Sequence, residues 1–98
     1  MSRRMLYRCV QAETPSGDKL RLEYYLLTDD VLFDGGSLEI YGVEILLYTP
    51  QKRKPDIGRI RGVTPVGSRI LTILRRLSDG AVTPACLREV MDCLLAQT

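Results

Sequence analysis

Apolar residues recur with period two through the first two thirds of the chain and at helical spacing through the last third. The segment Lys19 to Thr28 shows the first pattern most clearly. Leu20, Leu22, Tyr24 and Leu26 fall on one side, and Arg21, Glu23, Tyr25 and Leu27 on the other. Alternation with Tyr and Leu enrichment predicts a half-buried strand. Met5 to Thr14 predicts a strand before it, and Pro15 and Gly17 in the turn Thr14 to Asp18 close the two into a hairpin. Asp29 to Ser37, built around Asp34-Gly35-Gly36, predicts a loop. Leu38 to Thr49 predicts a third strand. Its apolar parity switches between Leu38/Ile40 and Val43/Ile45/Leu47, which predicts a β-bulge at Tyr41-Gly42. After a basic turn, Pro50 to Pro55, the weaker run Ile57 to Val63 predicts a short edge strand that Arg59 and Arg61 protect from pairing with other chains.

From Thr64 the spacing changes. Thr64-Pro65 is a helix-start signal, and Val66, Ile70, Ile73, Leu74 and Leu77 follow as one apolar stripe. Asp79-Gly80 predicts the stop, with Gly80 as a left-handed cap. Thr83-Pro84 repeats the start signal, and Leu87, Val90, Met91 and Leu94 form a second stripe with Cys86 at its margin; Arg88, Glu89 and Asp92 face water. The expected fold is α+β in the order ββββαα: a four-stranded antiparallel meander with two C-terminal helices packed on one face. One domain is expected over residues 1–98, with the sheet at about 5–63 and the helix pair at about 64–96.

Charge is unevenly spread. Residues 1–50 hold 5 basic and 8 acidic side chains, and residues 51–98 hold 9 and 4, within an overall formal charge of +2. Such asymmetry fits a nucleic-acid surface, two complementary halves of one domain, or a surface that pairs with another copy. Lys52, Arg53 and Lys54 with Arg59 and Arg61 make the most pointed basic cluster, a candidate contact for phosphate or an acidic partner. It has no interleaved aromatic residue and therefore no base-stacking platform. The helix pair does not read as a helix-turn-helix, because the outward face of its second helix is net negative.

Chemistry is sparse. The chain has no histidine, no phosphate-binding glycine loop and no nucleophile elbow. Asp29, Asp30 and Asp34 lack the spacing of a calcium loop, so no metal or cofactor is expected. The three cysteines, Cys9, Cys86 and Cys93, are an odd number for a disulfide framework and read as small core residues. Cys86 and Cys93 would lie ~10 Å apart along a helix, too far for a bridge. A reducing, cytoplasmic setting follows. Arg8 and Gln11 interrupt any export signal near the N-terminus, and no apolar run reaches the ~18–20 residues needed to cross a bilayer.

The residues Tyr24-Tyr25-Leu26-Leu27, Tyr41-Gly42-Val43-Glu44-Ile45 and Val82-Thr83-Pro84, with Leu87-Arg88-Glu89-Val90-Met91-Asp92, resemble in order and spacing a family of roughly 100-residue proteins of clostridia-like bacteria, a domain of unknown function. The resemblance spans about Leu20 to Leu95. The chain departs from it in the longer basic stretch Gln51 to Arg61 and in a more basic first helix. It implies a bacterial cytoplasmic protein and assigns no catalytic or binding residue. The leading expectation is a non-enzymatic binding or regulatory module acting through protein–protein contacts, including contact with a second copy as a homodimer. Tyr25, Leu27 and Leu46 on the sheet face left open by the helices are the candidate interface. A nucleic-acid-binding accessory protein using residues 52–61 is the alternative, and a small ligand-binding protein or enzyme the third reading.

Overall fold

The strands form in chain order as β1 (Ser2–Glu13), β2 (Lys19–Phe33), β3 (Gly36–Tyr48) and β4 (Asp56–Thr64). They belong to a computed structural model that describes residues 2–96. All neighbours pair antiparallel, in the order β1-β2-β3-β4. Two helices follow, α1 (Gly67–Asp79) and α2 (Leu87–Ala96), the second entered through a 3-10 turn at Pro84–Cys86. The architecture is α+β, a four-stranded meander with both helices at its C-terminal end.

The period-two alternation of β2 decides which face the helices cover. Leu22 and Tyr24 of β2 and Val43 and Ile45 of β3 are buried on the covered face. Against them pack Ile70, Ile73, Leu74 and Leu77 of α1 and Leu87 and Met91 of α2, forming the buried core. Full burial of each such side chain contributes about 1.5–3 kcal/mol. The Tyr24 hydroxyl donates to the Val82 carbonyl at 2.9 Å, tying the sheet centre to the connection between the helices. Desolvation of its ring pushes the Tyr24 hydroxyl up to about 12, so it remains a donor.

Several local expectations change. Residues 29–37 do not form a loop: β2 and β3 continue through them, and only Asp34 and Gly35 lie between the strands. The β2–β3 ladder runs unbroken from Arg21↔Tyr48 to Phe33↔Gly36, but the β3–β4 ladder shifts between Tyr41 and Val43, so the expected irregularity stands at Tyr41-Gly42 with its extra residues on the neighbouring strand. The irregularity lies in β4, where the register against β3 jumps from Ile60 to Thr64 across Gly62, whose φ is +65°. Glycine at position 42 permits the close approach found there: a side chain at Gly42 would strike the Ile60 carbonyl oxygen. β1 carries a second irregularity between Leu6 and Arg8.

α1 starts at Gly67, two residues after Pro65, because the Thr64 hydroxyl accepts from the Val66 amide at 3.1 Å and holds that segment as a turn. Val66 is therefore exposed rather than part of the stripe. At the other end the left-handed residue is Ala81, at φ +49°, whereas Gly80 has φ −87°. Cys9, Cys86 and Cys93 are exposed free thiols, not core residues; each stands on the side of its element turned away from the apolar contact.

Candidate interaction surface

The face away from the helices is paved with arginine. Glu44 on β3 is almost wholly buried there, and two cations reach it from the two edge strands. Arg4 of β1 donates Nε to Oε1 at 2.5 Å, and Arg59 of β4 donates Nε to Oε2 at 2.6 Å. Burial raises the Glu44 carboxyl, but the hydrogen bonds from Arg59 and Arg4 outweigh it and hold the group below its ordinary value. The Arg4 guanidinium also lies over the Tyr25 ring, 3.7 Å from its centroid, and Arg21 stacks on Tyr48 at 4.4 Å. Asp29 is held by Ser2 and, through both carboxylate oxygens, by Arg61 at 3.1 and 3.2 Å. One carboxylate thus clamps both sheet edges, with a second pair beside it.

This paving sets the fate of the expected interface. Tyr25, Leu27 and Leu46 do share the face opposite the helices. However, Leu27 is 1% and Leu46 6% exposed. Together with arginine side chains, Pro55 and Ile57, they line a cavity of about 300 Å³. A long guanidinium stem covers apolar surface while its head stays wet. Tyr25 is half-buried and bonded to Glu23.

The five candidate cations separate in the same way. Arg59 and Arg61 are the carboxylate partners just described. Lys52 pairs with Asp56 at 3.0 Å within the turn. Arg53 and Lys54 are exposed and make no ion pair among the described residues. Within the cluster, Arg53 and Lys54 of the turn are thus the two cations not engaged by a carboxylate among the described residues.

Beyond this paved region the central hairpin projects. Ser2↔Asp29 is the last described β1 pair, and Tyr41↔Thr64 the last β4 pair. Among the described residues, 30–33 and 36–40 therefore pair only with each other, as a two-stranded arm whose edges carry no third strand. The molecule is correspondingly elongated, 54 × 30 × 18 Å. Register places Val31 and Phe33 of β2 and Leu38 and Ile40 of β3 on one face of the arm. Asp30, Leu32, Ser37 and Glu39 lie on the other, where Arg3 holds both Asp30 and Glu39. The arm is amphipathic, with a mostly apolar face on the paved side and a mostly polar face on the helix side. Val31, Phe33 and Leu38 are 44%, 56% and 48% exposed, and Leu32 on the opposite face 83%.

From residue 3 to residue 97 the sequence matches DUF6514, a family of unknown function. The chain belongs to that family. No curated protein and no solved structure matches it. The DUF6514 match extends the resemblance, expected from about Leu20, to include β1.

Within this DUF6514 chain, the arm is what reading the residues missed. Its signal was present: Asp34-Gly35 flanked by Val31/Phe33 and Leu38/Ile40 is a hairpin turn between alternating apolar residues. The acidic residues and glycines of residues 29–37 concealed it. The parity switch in β3 was real but had a different cause. Tyr41, Val43, Ile45 and Leu47 face the helices, whereas Leu38 and Ile40 face the opposite side because the arm has no helix over it.

Proposed function

We propose that this chain is a non-enzymatic binding module acting through protein–protein contacts, with the β2–β3 arm as its contact element. The observation that carries this reading is the exposed apolar face of Val31, Phe33 and Leu38 on a ribbon whose edges carry no third strand among the described residues. Such edges template pairing with other chains unless they are blunted. The body of the sheet is blunted, by register breaks in β1 and β4 and by edge arginines. The arm ladder has no such break. Contiguous exposed apolar surface rimmed by polar residues is the usual mark of a contact site. Three exposed free thiols and the resemblance to clostridia-like proteins support a bacterial cytoplasmic setting. No helix among the described residues is long and apolar enough to cross a membrane.

The test is a comparison of the full chain with the triple variant Val31→Ser, Phe33→Ser, Leu38→Ser. Both are tagged and cross-linked in cells of the source type. Complexes that form with the unaltered chain and vanish with the variant, at equal expression and with an unchanged circular dichroism spectrum, support the reading. Identical complexes from both contradict it. The nucleic-acid alternative rests on Arg53 and Lys54 alone. It predicts binding whose affinity falls with salt and is lost in Arg53→Glu, Lys54→Glu.

A further inference from the structure

We infer that the occupant of the arm is a second copy of this chain, held in a reciprocal antiparallel dimer in which each arm lies on the opposite end of its partner. The inference rests on the reading of the arm as a contact element and names what it contacts.

The ends of the molecule are complementary. Residues 29–40 contain four acidic side chains and no basic one. Arg61 offsets Asp29, and Arg3 offsets Asp30 and Glu39, so the acid left at the arm tip is Asp34. Residues 49–55 contain three basic side chains and no acidic one, and Arg53 and Lys54 remain outward. These two segments lie at opposite ends of the β2–β3 ladder, because the arm turn follows Phe33↔Gly36 and the basic turn follows Tyr48 of Arg21↔Tyr48. Opposite charges at opposite ends favour an antiparallel neighbour over a parallel one, which would bring like ends together.

The basic end also offers a seat. A groove of about 520 Å³ lies beside the basic turn, lined by Leu20, Arg21, Tyr48 and Pro50 among others. Arg21 and Tyr48 stand on the paved face, the same side as the apolar face of the arm. An aromatic and aliphatic tip, Phe33 with Val31 and Leu38, matches a groove walled by an Arg–Tyr stack and a proline. Asp34 then falls beside Arg53 and Lys54. One such contact is small. A two-fold axis makes it twice, so the two contacts hold the same pair of chains together. Twofold closure also uses both arms and both turns, so no unsatisfied contact is left to add a third copy.

The test is light scattering after gel filtration on the full chain, from about 1 to 200 µM. A dimer of twice the 11.1 kDa chain is expected, weakening as salt rises. Phe33→Asp should be monomeric throughout, with an unchanged circular dichroism spectrum. If that variant does not fold, Val31→Ser with Phe33→Ser reads the same contact. Asp34→Lys alone, and Arg53→Glu with Lys54→Glu alone, should each weaken the dimer about tenfold or more. Mixed one to one, they should recover it as a heterodimer, since each arm then meets a turn of opposite charge. A monomeric unaltered chain overturns the second-copy assignment; arm-dependent complexes in cells would then still stand for the broader reading, and their absence would end both. Mass that grows without limit overturns the closed arrangement. A dimer indifferent to both charge variants, or a mixture that does not recover, overturns the arm-to-turn contact.

Discussion

Two buried side chains, Glu44 and Tyr24, hold the sheet at its centre through different chemistry, and each has its own pH signature. The folded Glu44 carboxyl sits below its ordinary value of 4.5. Its contribution is therefore fully present above that value and is lost as pH falls through the lower folded one. Glu44→Gln should flatten the fall in urea midpoint between about pH 6 and pH 3 relative to the unaltered chain. An unchanged slope would mean that Arg4 and Arg59 do not stabilise the ionised form. Tyr24 behaves in the opposite sense. Its hydroxyl is raised from 10.0 to about 12, so its contribution is present below the ordinary value and lost as pH rises through the folded one. Tyr24→Phe removes the bond to Val82 and should cost about 1 kcal/mol by chemical denaturation at neutral pH. Both residues stand in runs that mark strands, yet neither role was legible in them. A buried carboxylate needs partners from two other strands, and the alternation of one strand is silent on what lies opposite.

At the scale of elements, register rather than propensity explains what the spacing concealed. The helices were readable because apolar stripes at helical spacing are local signals: the core stripe Ile70, Ile73, Leu74 and Leu77 is buried as its spacing requires, although α1 begins two residues after Thr64-Pro65. The place of the β3–β4 irregularity was readable at Tyr41-Gly42 but not the strand that holds its extra residues, since it arises where Gly42 of β3 meets Ile60 and Arg61 of β4, about twenty residues along the chain. Gly42→Ala should therefore destabilise by about 2–3 kcal/mol, because the new methyl meets backbone rather than a flexible side chain. A urea titration showing no loss would place the strain elsewhere. The arm responds differently. Val31, Phe33 and Leu38 take no part in the core, so replacing them by Ser should leave the stability of the isolated chain within about 0.5 kcal/mol. The contrast between an intolerant Gly42 and a tolerant Phe33 separates residues that build the sheet from residues that the sheet presents.

The whole molecule combines a well-bound body with an arm that, among the described residues, extends past the last pairs of β1 and β4. Arginines close the face the helices leave open, and the expected apolar interface at Leu27 and Leu46 is consumed in that closure. The apolar surface displaced from the body reappears on the arm. Charge asymmetry, already visible between the halves of the sequence, becomes in three dimensions an acidic tip and a basic turn at opposite ends of a 54 Å molecule. The dimer account draws on both features, and sedimentation velocity tests it most directly. The unaltered chain and the variant Val31→Ser, Phe33→Ser, Leu38→Ser would be compared over one concentration series. The account predicts that the unaltered chain moves from the monomer to twice its mass while the variant stays monomeric at every concentration. Two superimposable monomer profiles, or two superimposable dimer profiles, would contradict it.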